Sequence, residues 1–259
     1  MSTSGISALP EGRYATAELD LEALAAGYDH RPSSVAALGH AAAASNGIEP
    51  GSPVLDVGAG RGDHAAVWAE QGYRVFALDP GVAMASAAAK HRGVVVVRGV
   101  AQALPFRAQT LALVYFHLSV HYGDWTRALD EAGRVLRPGG ACIVWTLGAA
   151  HHRASMLAKW FPSIAEIDAA RFPEPALIAA RLEKTGHEVE AGTEFEVVER
   201  AAGEWVAAVR AGFVSTLQLV SERELDAGLT AFTAAHPDPR QIVTYRLMWD
   251  WIRARHAAR

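Results

Sequence analysis

From Ser52 to Leu147 the chain alternates short, β-branched apolar runs with segments of helical spacing, a pattern that few architectures accept. The runs are "SPVLDVG" (52–58), "YRVFALD" (73–79), "GVVVVRG" (93–99), "LALVYFHL" (111–118) and "ACIVWTL" (141–147). Continuous apolar runs of this length suit strands buried on both faces. Their alternation with candidate helices at 63–71, 81–91 and 124–136 predicts a doubly wound, mostly parallel α/β sheet. On the last of these helices Trp125, Leu129, Ala132, Val135 and Leu136 share a face, and "RPGG" (137–140) reads as its break.

Beyond Leu147 the regularity weakens. "PEPALIAARLEKTG" (173–186) and "ERELDAGLTAFTAAH" (222–236) read as helices, and "HEVEAGTEFEVVE" (187–199) and "QIVTYRLMWDWIRAR" (241–255) as strands. The Ala-rich text before residue 50 reads as helices. A length of 259 residues with 51% hydrophobic content fits one large domain.

The net charge of −4, without any Lys/Arg cluster, argues against a nucleic-acid partner, and a small-molecule partner is expected. No apolar stretch reaches the roughly 20 residues of a membrane span. The N-terminal text carries no secretory pattern, and a single cysteine, Cys142, fits a reducing, cytoplasmic setting. Eleven histidines occur without an H-E-x-x-H spacing, so no metal site is expected.

The stretch "VLDVGAGRGDH" (54–64) places glycines at 58, 60 and 62 directly behind a strand and before a helix. Such a loop lets a ligand touch backbone. A dinucleotide fingerprint would need a third glycine where Asp63 stands, and a P-loop would need a Lys after the glycines. Asp79, 17 residues past Gly62, ends the next strand, where a carboxylate can accept both hydroxyls of a ribose. A ligand with a ribose and an amino-acid end answers both features: S-adenosylmethionine.

At these residues the chain resembles the class I S-adenosylmethionine-dependent methyltransferases, in the branch of the ubiquinone/menaquinone methyltransferases. "VLDVGAGRG" matches that family's D-x-G-x-G-x-G loop and "ALDP" (77–80) its second acidic motif. "RGVAQALPF" (98–106) is similar to its adenine loop, the text from 111 to 147 to its fourth strand, helix and fifth strand, and "YDHRP" (28–32) to its N-terminal cap signature.

The resemblance implies a Rossmann-like, seven-stranded sheet with the last strand antiparallel. It implies one domain over 1–259, with a helical cap from about 11–45, 149–172 and 200–238. The implied activity is methylation of oxygen, nitrogen or carbon on a small molecule, leaving S-adenosylhomocysteine. The alternative is a protein that keeps the cofactor pocket for a regulatory or non-methylating role.

By the same resemblance Gly58, Ala59 and Gly60 pass under the methionine moiety, and Asp79 holds the ribose. Pro80, Met84, Ala101 and Gln102 border adenine, and Phe116 and His117 lie at the mouth of the fourth strand. Asp56 either contacts the cofactor or caps loop amides. Tyr28 and Arg31 either close over the methionine group or end a surface helix. Val100 stands where the family carries an Asp near the adenine amine, with Gln102 as a substitute, and Ala112 replaces the Asp of the fourth strand. His121 is either a general base or a packing residue. Tyr14, Trp145 and His151 are candidates to line the substrate pocket.

Overall fold

The structure is a computed structural model and describes residues 19–20, 22–24 and 47–256. Tyr14, Tyr28 and Arg31 lie outside the described residues, as do nearly all of the N-terminal helices expected over 11–45.

The central sheet has the order β3-β2-β1-β4-β5-β7-β6. Strands β1 (Pro53–Val57), β2 (Arg74–Asp79), β3 (Val94–Arg98), β4 (Leu111–His117) and β5 (Leu136–Thr146) run parallel. Strand β7 (Ile242–His256) is antiparallel both to β5 and to β6 (His187–Ala201). The expected seven-stranded, mostly parallel sheet is therefore present.

Helices α1 (Asp63–Glu70), α2 (Val82–Ala88) and α3 (Trp125–Val135) connect the parallel strands. Asp124 starts α3 by accepting from the backbone N–H groups of Thr126 and Arg127.

"RPGG" is not a separate break. Helix α3 ends at Val135 and β5 begins at once, while its register on β4 jumps from Leu111–Leu136 to Leu113–Ala141. Arg137 to Gly140 thus form a bulge. A Cβ on Gly140 would sit 2.9 Å from the Arg137 carbonyl oxygen and 3.1 Å from that of Ala112, so the glycine lets the chain pass close to its neighbour.

Alternation along the strands divides the core between the two faces of the sheet. Leu55, Val57, Val114, Phe116 and Val144 pack with α3 and with Ile178 and Leu182 of α7 (Pro175–Lys184). Val54, Leu113, Tyr115 and Ile143 pack on the other face with Ala65 and Trp68 of α1.

A third apolar core lies outside the sheet. It is built from α5 (Met156–Trp160), α6 (Ser163–Arg171), α8 (Ala202–Arg210), a 3-10 turn at Ser215–Leu219 and α9 (Glu222–Ala235), with α4 (Ala149–Ala154) alongside. Trp205 stacks between Phe161 and Phe232, with ring centroids 6.0 and 4.0 Å away.

Strand β5 pairs with β7 only from Asp250 to Arg255, whereas β6 pairs along the whole of β7. The first half of β7 therefore runs past β5 into this third layer, where Val243 joins its core. Among the described residues no helix is long and apolar enough to cross a membrane.

Candidate active site

The loop after β1 is folded back on β2, because the N–H groups of Gly58 and Ala59 both donate to the Leu78 carbonyl, at 2.8 and 3.0 Å. Gly58 and Gly60 have φ of 69° and 55°, a region that favours glycine. Gly58 is also a close approach, since a Cβ there would lie 2.5 Å from the Ser119 Cβ.

Asp79 fastens this loop. Its Oδ2 accepts from Gly60 N–H at 2.9 Å and its Oδ1 from Gly81 N–H at 2.8 Å. Asp79 thus caps the amides of this loop. Burial holds the Asp79 carboxyl above its usual range, against the two backbone bonds that lower it.

Asp56 is 1% exposed, and its Oδ2 has no hydrogen-bond partner. Burial, and then the nearby charges of Asp79 and Asp63, push its carboxyl up to about 8. A buried carboxylate in that position favours an arriving cation.

A cavity of about 340 Å³ opens beside the loop, with Gly58, Gly60, Asp79, Pro80, Met84, Ala101 and Gln102 in its wall. Val100 also lines it, with an apolar side chain. Gln102 donates its Nε2 hydrogens to the carbonyls of Tyr122 and Asp124, at 2.8 and 3.4 Å. Carbonyls only accept, so the amide is oriented with Oε1 left as acceptor.

These residues fit S-adenosylmethionine. Asp79 offers a carboxylate, Gln102 an amide oxygen and Asp56 an orphaned buried oxygen, the kinds of group that a ribose, an amine and an ammonium bind.

A second cavity, of about 550 Å³, meets the first at Gly58, His117, Leu118 and Tyr122, beyond the carboxyl ends of β1 and β4. Asp56 and Ala59 open onto this larger space. So does His121, which is 6% exposed with its ring stacked on Phe172 at 3.7 Å. His151 lines it too. Its Nδ1 accepts from Met248 N–H at 3.1 Å, which places the ring proton on Nε2, and burial lowers the imidazole to about 4. His151 is therefore a neutral donor. His117 and His121 stand four apart, but at a strand end and in a loop. Among the described residues no group of three or more His, Cys, Asp or Glu is placed to hold a metal ion.

Two expectations need correction. Phe116 borders neither cavity, because Tyr115 and His117 take one face of β4 and Phe116, between them, is buried on the opposite face. Trp145 is absent from the wall as well, being buried in the core of the β5 face, and the tryptophan that reaches the cavity from the neighbouring strand is Trp249.

Several residues of the wall went unanticipated. His64, on α1, is buried with no hydrogen-bond partner on either nitrogen and lowered to about 4 by burial. Asp168, Phe172, Trp205, Ser215 and Thr216 come from the outer layer. Tyr245, Leu247 and Trp249 recur at every second residue of β7, a spacing that was legible as one face of a strand.

Residues 55–144 match the family described as "Methyltransferase domain". The chain is 31% identical over 163 residues to a demethylmenaquinone methyltransferase of Mycobacterium sp. (strain JLS), covering 55% of this chain and 70% of the relative. It is 37% identical over 106 residues to malonyl-(acyl-carrier protein) O-methyltransferase of Serratia marcescens, with 39% of this chain and 40% of the relative covered, so it spans less than half of that protein's length. Among solved structures, one from Anabaena variabilis ATCC 29413, described as a methyltransferase of an antibiotic biosynthesis pathway, superposes with a TM-score of 0.69 at 22% identity. That likeness, over 84% of this chain and 96% of the other, is one of fold. The Mycobacterium relative, matched over most of its length, carries the conclusion that this chain belongs to the S-adenosylmethionine-dependent methyltransferases.

Proposed function

We propose that the chain transfers a methyl group from S-adenosylmethionine, its adenosine held in the smaller cavity and its methionine end crossing the junction toward Asp56, to a small and largely apolar molecule in the larger cavity. The observation that carries this reading is the junction of the two cavities at Gly58, His117, Leu118 and Tyr122. Ligands of open α/β sheets bind outside the carboxyl ends of the strands, where this junction lies.

When bound, the cofactor supplies an electrophilic methyl on a sulfonium. The residues of this chain orient and enclose. Asp79 and the Gly58–Gly60 backbone fix the ribose and methionine ends, Asp56 takes the ammonium, and Gln102 Oε1 accepts from the adenine amine. The apolar wall, including Leu118, Met156 and Trp249, excludes water from a displacement in which charge is lost. His121 stands where it can accept the proton of a hydroxyl or amine nucleophile. His151 offers an N–H that holds the substrate.

Holding nucleophile and methyl in line supplies much of the rate without a strong base. The layer built by 149–172 and 200–238 acts as the cap.

The test is calorimetric titration with S-adenosylmethionine, followed by a methyl-release assay over pools of small phenols, amines and carbonyl compounds. Micromolar binding with turnover on a pool supports the reading. Binding without turnover on any pool favours a cofactor-binding, non-methylating role, and absence of binding removes the reading altogether.

A further inference from the structure

In the wall of the larger cavity Tyr122 and Ser215 bring their hydroxyls to 3.0 Å, joining the loop after β4 to the 3-10 turn of the outer layer. Arg171, whose side chain is 3% exposed, stands behind them. It donates from Nη2 to Ser215 Oγ at 3.0 Å and from Nη1 to Thr216 Oγ1 at 2.8 Å. Thr216 in turn donates to Asp168, so its bonding is complete.

The Tyr122–Ser215 pair is not complete. Two hydroxyls carry two protons and share one hydrogen bond, and a guanidinium accepts nothing. Whichever of the two donates in the shared bond, one O–H is left without an acceptor. Both residues face the cavity, and Ser215 is only 6% exposed. A buried donor in this state gains from a ligand that accepts.

The charge around the pair narrows the ligand further. Asp168 lies 3.9 Å from Arg171 and balances it, so the node carries no net charge. A carboxylate placed there would be desolvated without a free cation and would face Asp168. A carbonyl oxygen needs only the single donor, which the guanidinium behind Ser215 strengthens. The rings of Phe172, Trp205 and Phe213 nearby suit a flat apolar body.

We propose that the Tyr122–Ser215 pair recognises a carbonyl oxygen of the methyl acceptor, which makes the substrate a neutral, largely apolar carbonyl compound. This rests on the reading above of the larger cavity as the place of the acceptor.

Three matched probes test it on the full chain saturated with S-adenosylhomocysteine, followed by tryptophan fluorescence: 6-acetyl-2-naphthol, 6-ethyl-2-naphthol and 6-hydroxy-2-naphthoate. The expected result is that the ketone binds about fivefold or more tightly than the ethyl compound, the worth of one buried hydrogen bond, with the carboxylate weakest. Either single variant, Ser215→Ala or Tyr122→Phe, still leaves one O–H without an acceptor, so the ketone's advantage should persist in each and vanish in the double variant Ser215→Ala/Tyr122→Phe.

A separate titration of each protein with S-adenosylhomocysteine reports on folding and on the cofactor site. Normal cofactor binding combined with equal, absent or carboxylate-favouring probe binding overturns the carbonyl inference alone. So does a ketone preference that survives in the double variant. Failure of the wild-type chain to bind S-adenosylhomocysteine overturns the methyltransferase reading itself.

Discussion

The amide of Gly60 donates to the Asp79 carboxylate at 2.9 Å, so the glycine loop and the acid that ends β2 form one unit. Replacing the acid should therefore loosen the loop as well as the ligand. Asp79→Ala should weaken S-adenosylhomocysteine binding at least tenfold, since hydrogen bonds to a charged group contribute about 1.5–3 kcal/mol. Asp79→Asn retains an acceptor and should lose less. Titration of both variants checks this, and equal affinity in parent and Ala variant would refute the assignment.

Asp56 makes the protein pH-dependent in a definite direction. Its carboxyl lies at about 8 in the folded chain against an ordinary 3.8. Between those values the folded state holds a proton that the unfolded chain has lost, so stability is full at the acid end and falls as pH rises toward 8. Asp56→Asn should match the parent near pH 4 and exceed it at pH 8 by on the order of 2–5 kcal/mol, measured by urea unfolding.

The same group predicts proton release on binding. An ammonium beside Asp56 favours the carboxylate, so affinity for S-adenosylhomocysteine should rise as pH increases toward about 7, below the ordinary α-amino range. Calorimetry in buffers of different ionisation enthalpy should show a proton leaving in the parent and none in Asp56→Asn. A flat affinity in the parent would sink the proposed contact.

Gly58→Ala should be destabilising by about 1–3 kcal/mol, because the new methyl meets Ser119 and the residue must keep a positive φ. Adding Ser119→Gly should recover the steric part, read against Ser119→Gly alone because that change also removes the Ser119 hydroxyl's bond to the Val57 carbonyl. Thermal unfolding of the single and double variants separates the two contributions, and no recovery would place the whole cost in the backbone.

His121→Asn should lower turnover roughly 10²-fold or more while S-adenosylhomocysteine affinity is kept, if the ring serves as base. The acid limb of the rate profile should disappear with it. Because the ring stacks on Phe172, unfolding of the variant is measured alongside. Parallel losses of binding and turnover would assign His121 to packing.

The sheet, the glycine loop and Asp79 were legible in the sequence because each is a local pattern. Apolar runs declare strands by their own composition, and glycines at alternate positions behind a strand declare a loop that a ligand can touch. The match over residues 55–144 covers that same stretch. The wall of the larger cavity was not legible as a whole, since Asp168 and Ser215 are distant in the chain and meet the Tyr245–Trp249 strand face only when the outer layer and the long β6–β7 ribbon fold over the strand ends. Trp145 shares its face with His117 and Trp249 and is covered in the core of that face, whereas Phe116 shows why even a well-placed strand misleads. The alternation has two phases, and packing against α3 and α7 or against α1 decides which phase meets the core and which the cavity.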